Sequence, residues 1–310
     1  MERNGLALVT LIEELNRQMQ AAGSSEQIVV IGPSMGGQIA RYALSYMEAN
    51  GLAHNTRLYL SLDSPHNGAN IPIGLQHFVK YFAEQTKDSQ LVDGLEQIDS
   101  PASRELASAY YTQNSLFQAH PQRSAFMNAV LSFKPDGLPA NLRRVAITNG
   151  ALNGNRQKDQ NGQIINDLDQ AFFLEQRGVP QGGFTGFIVR ALFPVGLIGR
   201  LITTASGRVR YAPGQGQSDF VVRTYTLTDG QHYFYATGPS ASCGLDGAPG
   251  GYRNFFSEIA EGQNSSGVFQ KRIFHSVRDK AVFIPMLSAL AFKSPASYKG
   301  FLFQKGGFTR

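Results

Sequence analysis

Apolar positions recur along the chain with two different periods. Leu6, Val9, Ile12, Leu15 and Met19 return at helical spacing, and Gly23 ends the pattern, so a first helix is predicted there. Ile28-Val29-Val30-Ile31 is a short β-branched run and predicts a buried strand. Helical periodicity resumes from Gln38 to Asn50, with Gly51 as its stop. Arg57 to Leu62 and Arg143 to Thr148 read as two further strands, and residues 75–133 between them read as mostly helical, with Ser100-Pro101 as a good N-cap followed by proline. The order strand, helix, strand, helix, strand predicts an α/β fold with a mainly parallel sheet and flanking helices.

The second half is patterned differently. The residues after Asn149-Gly150 are rich in Asn, Gln, Gly and Asp and read as a loop. Asp159, Asn161, Asp167 and Asp169 could face a cation, but their spacing does not follow an EF-hand loop, and no metal or other cofactor is expected. Phe184 to Ile202 is apolar yet interrupted by Arg190, Pro194 and Arg200, which argues against a transmembrane helix and for a buried or lid-forming segment. Val221–Thr228 and His232–Thr237 around Asp229-Gly230-Gln231 suggest a hairpin. Gly244 to Tyr252 reads as a glycine-rich loop, and Lys280 to Leu290 carries another apolar run. Residues 1–310 are therefore expected to form a single domain with a lid-like insert over 151–220.

Composition narrows the function class. A hydrophobic share of 42% allows a sizeable core. The net charge of +5 is spread over the chain rather than clustered, which argues against a nucleic-acid partner and leaves only a weak pull toward anionic interfaces. The one cysteine, Cys243, rules out an intrachain disulfide and reads as a small buried hydrophobe. Met1-Glu2-Arg3-Asn4 leads into an amphipathic helix, not a signal peptide, so a cytoplasmic chain without stable membrane insertion is expected, unless an upstream segment is missing.

The candidate chemistry sits between the first strand and the second helix. Gly32-Pro33-Ser34-Met35-Gly36, followed by Gly37, is Gly-x-Ser-x-Gly in a strand–turn–helix context, the arrangement of a nucleophile elbow. Side chains at Gly32, Gly36 or Gly37 are expected to collide with the strand or the neighbouring helix. The turn lifts the Ser34 hydroxyl out of the sheet and puts the Met35 amide at a helix N-terminus, where it can donate to an oxyanion. A serine hydroxyl needs a base, and the base an orienting carboxylate. Asp63, directly after the second strand, is the first choice of acid, with Asp279 as rival and a loop-capping role as the alternative. Of six histidines, His275 is preferred as base by chain order; His66 is the second candidate, though a loop histidine beside the acid more often supports the loop. His54 and His120 lie in polar connections and read as exposed.

Val30–Gly37 with Arg41-Tyr42-Ala43-Leu44, the Asp63-Ser64-Pro65-His66-Asn67-Gly68-Ala69 loop, and Phe283-Ile284-Pro285 with Ser288-Ala289-Leu290 resemble bacterial lipase-like α/β-hydrolases, including the GPI-inositol-deacylase type. The resemblance runs over residues 28–75 and the late Phe283–Leu290 segment. The resemblance implies hydrolysis of carboxylic esters, lactones or lipids through an acyl-serine intermediate, on a small-molecule or lipid-like ester substrate. Two departures stand beside it. Only 27 residues precede Ile28, so no upstream loop supplying a second oxyanion amide can be read, and no histidine follows Leu290. The chain is thus expected to be a shortened form, and the alternative reading is a hydrolase scaffold that binds a partner without a complete triad. The sequence does not reveal an oligomeric state.

Overall fold

The computed structural model describes residues 1–86, 89–111, 118–149, 172–177, 203–210, 219–226, 230–237, 250–254, 271–275 and 280–291. Its first half is an α/β layer. Strands β1 (Ile28–Pro33), β2 (Thr56–Leu62) and β3 (Arg143–Ile147) form a parallel sheet in the order β1-β2-β3. Helix α1 (Glu2–Ala21) leads into β1, and α2 (Met35–Ala49) connects β1 to β2. The expected helical stretch contains α3 (Ile73–Thr86), α4 (Ser89–Asp99), α5 (Pro101–Leu106) and α6 (Pro121–Phe133). Ser100 caps α5 as predicted, its side chain accepting from the Ser103 amide.

One face of the sheet carries the core. Val30 and Tyr59 stand side by side across the β1–β2 ladder and pack with Val9, Ile12, Ala43, Leu44 and Met47 from α1 and α2. Complete burial of a side chain such as Leu44 or Met47 contributes about 1.5–3 kcal/mol. The inward stripe of α1 is Gly5, Val9 and Ile12, narrower than the periodic pattern, and Leu6 and Leu15 remain exposed. The reason is close approach: a Cβ at Gly5 would lie 2.3 Å from a ring carbon of Tyr42. Tyr42 in turn stacks on Phe126, and this cluster with Val130 seats α6 on α2. On the other sheet face Val29, Ile31 and Ile147 are exposed.

The second half is built from antiparallel pairs. Strands β4 (Phe172–Arg177), β5 (Thr203–Arg210), β6 (Asp219–Thr226), β7 (Gly230–Thr237) and β9 (Lys271–His275) form a sheet in the order β7-β6-β5-β4-β9, which packs against α3. The hairpin expected around Asp229-Gly230 is the β6–β7 pair. Residues expected to form a glycine-rich loop instead contain β8 (Gly250–Asn254), which pairs with β10 (Lys280–Pro285) ahead of the short helix α7 (Met286–Ala289). Glycine is what lets β8 in: a Cβ at Gly250 would lie 2.2 Å from the Ile284 carbonyl oxygen. Most of the expected insert lies outside the described residues, including the Asp159–Asp169 loop and the apolar 184–202 segment; so do Cys243 and Asp279. Among the described residues no helix is long and apolar enough to cross a membrane, and no cluster of His, Cys, Asp and Glu is arranged to hold a metal.

Candidate active site

Ser34 stands between β1 and α2 with φ 48° and ψ −123°. A non-glycine residue in that region costs about 1–3 kcal/mol, held by the structure around it. The surroundings explain how it is held. The Ser34 amide donates to the Leu62 carbonyl at 2.8 Å, and the Ser34 carbonyl accepts from Gly37 at 3.1 Å. A Cβ at Gly32 would lie 2.6 Å from the backbone of Gly36 and Gly37, and one at Gly37 would lie 2.0 Å from the Ser64 hydroxyl. Gly36 differs from the expectation: its nearest neighbour to such a Cβ is a Pro33 side-chain carbon at 3.4 Å, an ordinary contact. The turn is therefore closed by Gly32 and Gly37 alone.

Ser34 is exposed at the C-terminal edge of the parallel sheet, and no described residue hydrogen-bonds its hydroxyl. Met35 is the first residue of α2, so its amide is one of the donors that a helix leaves unused at its N-terminus.

Asp63 follows β2 directly, and because Pro33 pairs with Leu62 it leaves the ladder beside Ser34. Its φ is 45°, and its amide donates to the Ile147 carbonyl at 2.7 Å. The carboxylate is held from the end of β3: Oδ1 accepts from the Asn149 amide at 3.1 Å and the Thr148 hydroxyl at 3.3 Å, and Oδ2 accepts from Asn149 Nδ2 at 2.9 Å. A Cβ on Gly251 of β8 would lie 2.6 Å from Oδ2, so β8 crosses close to this carboxylate. Each carboxylate oxygen has two lone-pair sites, so these bonds leave acceptor capacity for a further donor.

The histidines separate by burial. His66 is fully buried, and its Nε2 lies 2.9 Å from the Ser61 hydroxyl. Burial, reinforced by the Arg41 charge, holds its pKa well below the ordinary histidine value. Its contact with the Ser61 hydroxyl ties the loop to β2. His54, expected to be exposed, is buried: its Nδ1 accepts from the Thr56 amide at 3.0 Å and its ring faces Glu48. His120 caps α6 through Gln122. His275 ends β9, opposite Phe173 of β4, and its ring lies outside the described residues.

Several residues near the site carried no role in the sequence reading. Gln38, fully buried on α2, donates from Nε2 to the Pro65 carbonyl and so ties the Ser34 helix to the Asp63 loop. Asn149 and Gly251 frame the carboxylate. Nothing local to either residue marks it, since each acts across the fold. At the far end of the same loop, Asn70 and its neighbours bond to the segment that carries Ser288 of α7.

Comparison with known proteins bears on the first part of the chain. Residues 1–115 match the family model described as the PGAP1-like alpha/beta domain. That region spans α1 to β2, with Ser34 and Asp63, and helices α3 to α5. The match supports an alpha/beta-hydrolase-like fold for it. No curated protein and no solved structure matches the chain.

Proposed function

We propose that the protein is a serine hydrolase that cleaves carboxylic esters through an acyl-serine intermediate. The observation that carries the reading is Ser34: a strained, exposed serine at a helix N-terminus, in the region that matches the PGAP1-like alpha/beta model, at the sheet edge where Asp63 also leaves β2. In the first step Ser34 Oγ bonds to the ester carbonyl carbon while a histidine takes its proton. The tetrahedral oxyanion accepts from the Met35 amide, and the alcohol leaves with the proton carried by the imidazole. Water then attacks the acyl-serine by the same route and frees the acid. His275 is the proposed base and Asp63 the carboxylate that orients it. The resemblance to GPI-inositol-deacylase-type lipases favours a lipid-like ester, and the chemistry requires no cofactor.

Replacing Ser34 with Ala is expected to abolish turnover of p-nitrophenyl esters and labelling by a fluorophosphonate. Retained labelling elsewhere in the chain would remove the assignment. A second reading, a hydrolase scaffold that binds without turnover, is favoured by one observation: no described imidazole reaches the Ser34 hydroxyl. Wild-type protein that neither turns over esters nor labels would establish that reading instead. The His275→Asn variant decides the base, because a working triad loses roughly 10⁴-fold or more without it.

A further inference from the structure

The loop that carries Asp63 is bound at its other end by a segment more than two hundred residues away in sequence. Ser288 of α7 is fully buried, and its hydroxyl makes two bonds to this loop. It accepts from the Asn67 amide at 2.9 Å and donates to the Gly68 carbonyl at 2.8 Å. Two residues on, Asn70 adds two donated bonds to the same corner. Its amide donates to the Phe283 carbonyl at 2.7 Å, and its Nδ2 donates to the Val282 carbonyl at 3.0 Å. Four hydrogen bonds thus join Asn67–Asn70 to the β10–α7 corner. The strand paired with β10 is β8, whose Gly251 passes close to the Asp63 carboxylate.

We infer that Ser288 is a positioning residue for ester hydrolysis at Ser34: it fixes the loop from Asp63 to Asn70 and thereby the carboxylate. The inference rests on the hydrolase reading above and adds a residue to it. The argument is one of rigidity. Asp63 holds a positive φ, a conformation that persists only where its surroundings over-determine it. Its start is fixed by the Ile147 carbonyl and the Asn149 amide, its middle by Gln38 on Pro65 and Ser61 on His66, and its end by Ser288. A hydroxyl suits the last place because one atom must accept from an N–H and donate to a carbonyl one residue apart. Alanine there removes both bonds in a site closed to water. Because a misplacement of about 1 Å can cost roughly 100-fold in rate, the loss is expected in the chemical step rather than in substrate binding.

The test compares Ser288→Ala and Ser288→Thr with Val130→Ala, a core truncation in the α2–α6 cluster away from the site. For each, kcat and KM on a p-nitrophenyl ester, the rate of fluorophosphonate labelling of Ser34, and amide hydrogen exchange of residues 63–70 are measured well below the unfolding temperature. Ser288→Ala is expected to lower kcat and the labelling rate roughly tenfold or more with KM little changed, and to speed exchange in the loop. Ser288→Thr, which keeps the hydroxyl, restores most of the rate. Val130→Ala, though destabilised, keeps kcat within about twofold, since its loss is one of stability alone. Equal kcat losses in Ser288→Ala and Val130→Ala, or a full rate in Ser288→Ala, overturn the inference. A wild-type chain that does not label overturns the hydrolase reading itself, which is a different result from a labelled wild type with an indifferent Ser288.

Discussion

The strain at Ser34 can be measured without reference to any reaction. The residue holds φ 48° and ψ −123°, and such a conformation costs a non-glycine residue about 1–3 kcal/mol. Its side chain is exposed and makes no hydrogen bond to a described residue, so Ser34→Ala removes almost nothing and is expected within about 0.5 kcal/mol of wild type. Ser34→Gly differs from Ser34→Ala chiefly in relieving the steric cost of Cβ. Against that relief stands the greater entropy of glycine in the unfolded chain, about 0.4–1 kcal/mol. The difference leaves Ser34→Gly more stable than Ser34→Ala by about 1 kcal/mol. Urea unfolding of the two variants, followed by far-UV circular dichroism in parallel, reads this as a higher midpoint for glycine at the same slope. Equal midpoints, or a lower one for glycine, would refute the claim that the turn is strained and, with it, the argument that the surroundings hold this serine for a purpose.

Two further outcomes follow from the same geometry. Gly32→Ala is expected to destabilise by about 2 kcal/mol or more, because its Cβ would meet fixed backbone at 2.6 Å, whereas Gly36→Ala is expected to be tolerated within about 1 kcal/mol; thermal unfolding of both variants decides, and equal losses would contradict the assignment of the tight turn to Gly32 and Gly37. Acid is expected to weaken the fold through the half-buried His77 of α3. Burial, with the Lys80 charge nearby, lowers the pKa of His77 to about 4, so between about 6.5 and 4 the unfolded chain binds a proton that the folded chain does not; stability falls as pH falls through that window, by up to about 3 kcal/mol from this group. Urea unfolding between pH 7 and 4.5 is expected to show a shallower pH slope in His77→Gln, and an unchanged slope would show that His77 does not contribute.

Much of the α/β layer was legible from periodicity alone. Strand and helix patterns from Leu6 to Leu62 reflect local repeats of two and of 3.6 residues, and α1, β1, α2 and β2 follow them to within a few residues. The elbow was legible for the same reason: its strain, its helix N-terminus and its glycines occupy six consecutive positions. The second half was less readable. β8 carries two glycines and resembles a loop, and it becomes a strand because β10 offers a backbone ladder and the site tolerates no Cβ. Its partner lies more than twenty-five residues away, beyond any local pattern.

What the sequence determined by itself is therefore the Gly32–Gly37 turn and the layer that bears it, since both depend on residues close together along the chain. The tertiary structure alone decided what surrounds Asp63 and its loop. Asn149 reaches the carboxylate across 86 positions and Ser288 reaches the Asn67 amide across 221, while His66 and His54, polar in sequence, are drawn into the interior by hydrogen bonds to Ser61, Thr56 and Glu48. Hydrogen-bond partners are set by proximity in space, and buried polar groups take whichever partners the fold brings to them, however far apart they lie along the chain.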